Sequence, residues 1–123
     1  MSCTYVIDQG NRLVITSLSD VVTAAEAFAH QTRLIGDPTF SPDLRQLIDC
    51  SQLIKFDMDS AELRAIAKRN FFSPKARRAL LVNSAHAFGV GRMLLTFRDL
   101  AGAQEAMQIF RERDEAMRWL LND

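Results

Sequence analysis

The sequence is poor in the residues that carry most recognisable chemistry. It holds two cysteines, Cys3 and Cys50, and two histidines, His30 and His86, among 123 residues. Two cysteines cannot build a disulfide scaffold. Both lie in or beside apolar, strand-like runs and read as small reduced core residues of a cytoplasmic protein; a Cys3–Cys50 bridge between neighbouring strands is the alternative. The histidines lack ligand spacing, and with so few cysteines no zinc site is expected. Neither has an obvious carboxylate or nucleophile partner, so acid–base catalysis is not indicated. The five glycines form no phosphate-cradling pattern. Gly89-Val90-Gly91 lacks the third glycine and the preceding strand turn of a dinucleotide motif, and no cofactor is expected. Excess charge is absent too: 15 basic residues balance 15 acidic ones, which removes any general attraction to nucleic acid. No window approaches the ~20 apolar residues of a membrane span. Met1 to Gly10 has no basic region leading into an apolar one, so no signal peptide is expected. Without linkers, repeats or low-complexity segments, the length fits one domain over residues 1–123.

What is present is alternation of short strand-like runs with helical periodicity. Cys3 to Ile7 and Arg12 to Thr16 flank Asp8-Gln9-Gly10-Asn11, a turn in which glycine and asparagine tolerate positive φ, and read as a hairpin. Ser19-Asp20 is expected to break the second strand. Thr23 and Glu26 have capping-box spacing. Ala24, Ala27, Phe28, Gln31, Leu34 and Ile35 then recur at helical spacing, and Gly36 followed by Asp37-Pro38 ends that helix. Leu44 to Cys50 is the central strand. A short connection leads to Asp59, which caps a helix from Ser60 to about Asn70 with Leu63, Ile66, Ala67 and Asn70 inward.

Arg78 to Val82 is an unbroken apolar strand, as parallel sheets buried on both faces require. Asn83 or Ser84 caps a helix reaching about Ala101, and Gly102 ends it. Gly89 and Gly91 weaken that helix unless they permit close approach to the sheet. Ala106 to Phe110 is the last strand, with Met107 and Ile109 on one side. A final helix starts at Arg113 or Asp114, with Trp119 as its expected anchor. The order β-β-α-β-α-β-α-β-α implies a single α/β domain with a mostly parallel five-stranded sheet, its first strand antiparallel. Apolar residues on both faces of the later strands need cover on the second side, which a homodimer would supply.

The central stretch Leu47–Leu63 carries a resemblance. Asp49-Cys50-Ser51 and Asp59-Ser60-Ala61-Glu62-Leu63 resemble the D-L-S strand end and the D-S-S-G-L junction of the STAS domain, the fold of bacterial anti-sigma-factor antagonists. Gly89-Val90-Gly91-Arg92-Met93 and Glu115-Ala116-Met117-Arg118-Trp119-Leu120 resemble a bacterial branch called STAS/Sec14-like. The resemblance implies helices mainly on one face of the sheet. It also implies a non-enzymatic regulatory module that docks a protein partner, of regulatory-kinase or sigma-regulator type, through Asp57, Asp59 and Ser60. Aligned on Leu63, Ser60 stands at the family's first serine, Ala61 at its second and Glu62 at its glycine. If the second serine is the phosphate acceptor, it is missing here and the standard phosphorylation cycle is not expected. The Sec14-like branch implies the alternative function, a small lipid or apolar-ligand carrier or sensor.

Each constellation also has a plain structural reading. Asp59 with Glu62 three residues later is a helix cap, which leaves Ser60 as an ordinary first-turn residue. Lys68, Arg69, Lys75, Arg77 and Arg78 surround Phe71-Phe72 and offer docking to an anionic surface; solvated helix-end charge is the commoner role for such a run. The junction gives Asp49 and Asp57 room to face each other as paired acids do in chemistry, but turn and cap duty is the far commoner role. Met93, Leu94, Leu95, Phe97 and Leu100 read as core packing or, alternatively, as a lipid-pocket lining.

Overall fold

The computed structural model describes residues 2–122. The elements follow the expected order: β1 Cys3–Asp8, β2 Leu13–Thr23, α1 Ala24–Gly36, β3 Arg45–Asp57, α2 Ser60–Lys68, β4 Arg77–Leu81, α3 Ala85–Leu100, β5 Ala106–Phe110 and α4 Arg113–Leu121. The strands lie side by side in the order β1-β2-β3-β4-β5. Only the β1–β2 pair is antiparallel. In its turn, the Asp8 carboxylate accepts from the Asn11 backbone and side-chain nitrogens. The positive φ falls on Arg12 (+52°), not on Gly10 or Asn11.

Two strands run further than the sequence suggests. Ser19-Asp20 does not break β2: Asp20 takes φ +57° between two register shifts, and pairing continues to Thr23. Such a bulge bends a strand without ending it. β3 likewise does not stop near Cys50. It spans 13 residues, stays paired with β2 to the Thr23–Asp57 register, and meets β4 only over Gln46–Asp49. The far halves of β2 and β3 therefore project as a two-stranded ribbon.

Alternation along the strands builds two cores, because successive side chains point to opposite faces. One face carries Val14, Leu18, Cys50 and Leu80 under α1, α2 and α3. The other carries Leu13, Leu47, Ala79 and Leu81 under Ala116 and Leu120 of α4. Helices thus lie mainly on one face. The second face of the later strands is covered by the chain's own last helix, which removes the packing argument for a homodimer. Ala116 and Leu120 are fully buried there, whereas Trp119 sits half-buried against Phe110 and the Arg77 guanidinium. Cys3 and Cys50 are free and buried, and burial pushes the Cys50 thiol up to about 12.

Caps set the helix starts. Thr23 and Glu26 form the capping box of α1, and Ser84 caps α3 through the Ala87 amide. Gly36 is not the left-handed terminator expected of it; it is the last helical residue, and extended Asp37 follows. Gly102 does take that role, at φ +81°. Around α1 the buried stripe is Ala24, His30 and Leu34, with Ile35 turned outward. In α3 the two glycines differ. A Cβ on Gly91 would stand 2.7 Å from Leu80 Cδ2 and 3.2 Å from Ile109 Cδ1, so α3 lies close on the sheet there; Gly89 faces no such neighbour.

Candidate functional site

The strand–helix junction is built as a cap. β3 ends at Asp57, and the Asp59 carboxylate accepts from Glu62 N at 2.8 Å while Glu62 Oε1 accepts from Asp59 N at 2.9 Å. Both acids are engaged with the helix start, and Ser60 is exposed in the first turn. Asp49 does not face Asp57. It lies inside β3 on the α4 side and accepts from Arg113 NH1 at 2.9 Å, because β3 continues for eight residues beyond it. His86 Nε2 accepts from Phe56 N at 2.9 Å, tying α3 to the β3 ribbon.

The five basic residues around Phe71-Phe72 do not form one patch. Arg77 and Arg78 are adjacent in β4 and therefore point to opposite faces. Arg77 donates to Trp119 O at 2.8 Å and to Asn122 O on the α4 side. Arg69 donates to Phe28 O and to Thr32 Oγ1 of α1. Lys68 and Lys75 are exposed. Phe71 and Phe72 pack edge-on against Phe40, closing one end of the core.

Arg78 opens onto something the sequence does not announce. Under α1–α3 a chain of polar side chains crosses the sheet, one each from α1, β2, β3, β4 and α3 and one from the turn before β5. His30 Nε2 and Thr16 Oγ1 are 3.3 Å apart. Gln46 Nε2 donates to Thr16 Oγ1 at 3.0 Å, and Arg78 Nε donates to Gln46 Oε1 at 2.9 Å. Arg78 NH1 lies 3.7 Å from Glu105 Oε2. Arg98 NH2 donates to Glu105 Oε1 at 2.5 Å and to its carbonyl at 2.7 Å. Buried charges persist only when paired and hydrogen-bonded; the relay pairs Arg98 directly with Glu105, while Arg78 is held at Nε by Gln46 and stands 3.7 Å from Glu105 Oε2. Thr16 Oγ1 accepts from Gln46 and shares a second hydrogen bond with His30 Nε2, whose direction is set by the imidazole tautomer. Burial, with some help from Arg33, lowers the His30 pKa to about 4.

The relay forms part of the wall of a partly enclosed cavity of about 110 Å³ between the sheet and the helices. Its apolar wall includes Leu80 of β4, Ile66 and Ala67 of α2, and Val90 and Leu94 of α3. Thr16 beside His30 is a hydroxyl–imidazole contact of the kind nucleophilic catalysis uses. A base with pKa near 4 draws that proton weakly at neutral pH. The arrangement is suited to binding rather than to proton transfer.

Sequence reading located Arg78 but gave it a surface role, and it missed Thr16, Gln46, Arg98 and Glu105. A signal existed for two of them. Gln46 interrupts an apolar strand, and Arg98 stands on the inward stripe of α3 with Gly91 and Leu94, where an unpaired charge is excluded. Among the described residues no group of three or more His, Cys, Asp or Glu is placed to hold a metal, and no helix is long and apolar enough to cross a membrane.

No family model matches the chain, and no curated protein matches it either. Among solved structures it is similar to an uncharacterised protein of the DUF3478 family, with a SpoIIAA-like fold, from Shewanella loihica. That likeness covers 96% of this chain and 91% of the other, with TM-score 0.63 and 14% identity. The chain has the SpoIIAA-like fold, which is the fold of the STAS anti-sigma-factor antagonists.

Proposed function

We propose that this protein is a cytoplasmic, non-enzymatic regulatory module that senses a small apolar molecule in the cavity beneath α2 and α3. The observation that carries the reading is the cavity itself. Its volume, about 110 Å³, compares with the roughly 150 Å³ apolar cavity that accepts benzene. A space of this size suits a ring or a short branched chain rather than the two acyl tails of a phospholipid. The protein-docking reading joins it through α2. Leu63, Ile66 and Ala67 line the cavity while Asp59 and Ser60 are exposed at the head of the same helix. A partner that reads the outer surface of α2 therefore reads occupancy.

The test is an amide and methyl NMR titration of the full chain with small aromatic and branched aliphatic molecules. Shifts are expected at Leu80 and Leu94, with slower hydrogen exchange across Ser60–Lys68. Ile66→Phe, which places a ring into the space, is expected to abolish those shifts. A cavity that responds to none of these molecules, or an Ile66→Phe chain that responds equally, sinks the reading. Cavity shifts without any change in α2 exchange would sink the link to docking.

A further inference from the structure

We propose that the cavity selects an acid: a small apolar molecule ending in a carboxylate, seated on the Arg78 guanidinium with its apolar body under α3. This rests on the cavity reading above and specifies its ligand. The charge of the wall comes first. Three arginines, Arg69, Arg78 and Arg98, line the cavity, and among the described residues no carboxylate does. Glu105 lies behind them and pairs with Arg98 at 2.5 Å, leaving Arg78 at 3.7 Å. Arg78, Arg98 and Glu105 together hold one unbalanced positive charge in a buried setting. A monoanion balances it; a neutral molecule leaves it.

The geometry of Arg78 comes second. Its guanidinium lies over the Phe72 ring at 4.6 Å from the centroid, and its Nε is held by Gln46. Ring and hydrogen bond fix the plane of the fork. Among the described residues no acceptor lies within hydrogen-bond distance of its terminal nitrogens, since Glu105 Oε2 stands at 3.7 Å. A fixed fork with open terminal donors is the geometry that binds a carboxylate bidentately. Burial lowers the Arg78 pKa to about 10, with Glu105 pulling it up and Arg98 adding a smaller downward push.

The experiment is an NMR titration of the full chain with benzoate and 3-methylbutanoate, each beside its neutral counterpart, benzyl alcohol and 3-methylbutan-1-ol. A charge-assisted pair predicts acids bound about ten- to a hundredfold more tightly than the alcohols. Arg78→Met should erase that preference, while Arg78→Lys should keep part of it. Alcohols that rival the acids in the unmodified chain overturn the acid inference and leave the cavity reading standing. Failure of all four probes overturns both. The comparison in the unmodified chain decides the matter even if Arg78→Met does not fold.

Discussion

His30 shows what one side chain decides in this molecule. In the unfolded chain an imidazole titrates near 6.5; here burial holds it neutral to about pH 4. The sign follows from proton linkage: between those values the unfolded state binds the proton and the folded state does not, so acid favours unfolding. Its contribution is fully present above pH 6.5 and is lost as pH falls towards 4. The whole shift corresponds to on the order of 3 kcal/mol. Urea unfolding at a series of pH values should show stability declining through that window. His30→Gln, which keeps a hydrogen-bonding group beside the Thr16 hydroxyl, should flatten the decline. An unchanged pH profile in His30→Gln would place the titrating group elsewhere. The same residue shows why sequence reading fell short. At helical spacing His30 looks like a neighbour of the apolar stripe, and only the position of Thr16 on β2, 3.3 Å away, makes it an interior residue.

Elements were legible where their signals are local. The Thr23–Glu26 and Asp59–Glu62 boxes need no distant contact to form, and both are present. Asp59→Ala removes the side-chain acceptor for Glu62 N and should cost about 1 kcal/mol. Ser60→Ala, at an exposed first-turn position, should leave thermal unfolding nearly unchanged. Equal losses for the two would show that Ser60 carries structure as well. Strand ends were less legible. β3 runs on to Asp57 because β2 keeps pairing with it past the bulge at Asp20. A strand's length is set by its partner's, and polar residues such as Ser51, Gln52 and Lys55 give no sign of it.

At the scale of the whole molecule, α4 closes the fold. It is nine residues long and makes the only helical cover on its side of the sheet among the described residues. Its grip comes from Ala116 and Leu120, each fully buried. Leu120→Ala should destabilise the domain by about 2–5 kcal/mol, as expected for a buried leucine whose space is not refilled, and urea unfolding would measure it. A loss near zero would mean that α4 is not part of the cooperative unit. The opposite face differs in kind. There α1, α2 and α3 cover a larger area, and the tight contact at Gly91 coexists with the cavity beside Ile66 and Leu94.

By itself the sequence determined the order of elements, the antiparallel first pair, the caps and the single α/β layer plan. Those rest on periodicity, turn chemistry and short-range hydrogen bonds, all written within a few residues of one another. Tertiary structure alone decided which charges are interior. Arg77 and Arg78 are adjacent in the chain, yet one bonds the Trp119 carbonyl of α4 and the other enters the relay to Glu105. Strand alternation separates the two, but which face receives three helices and a cavity is settled only when distant elements pack together.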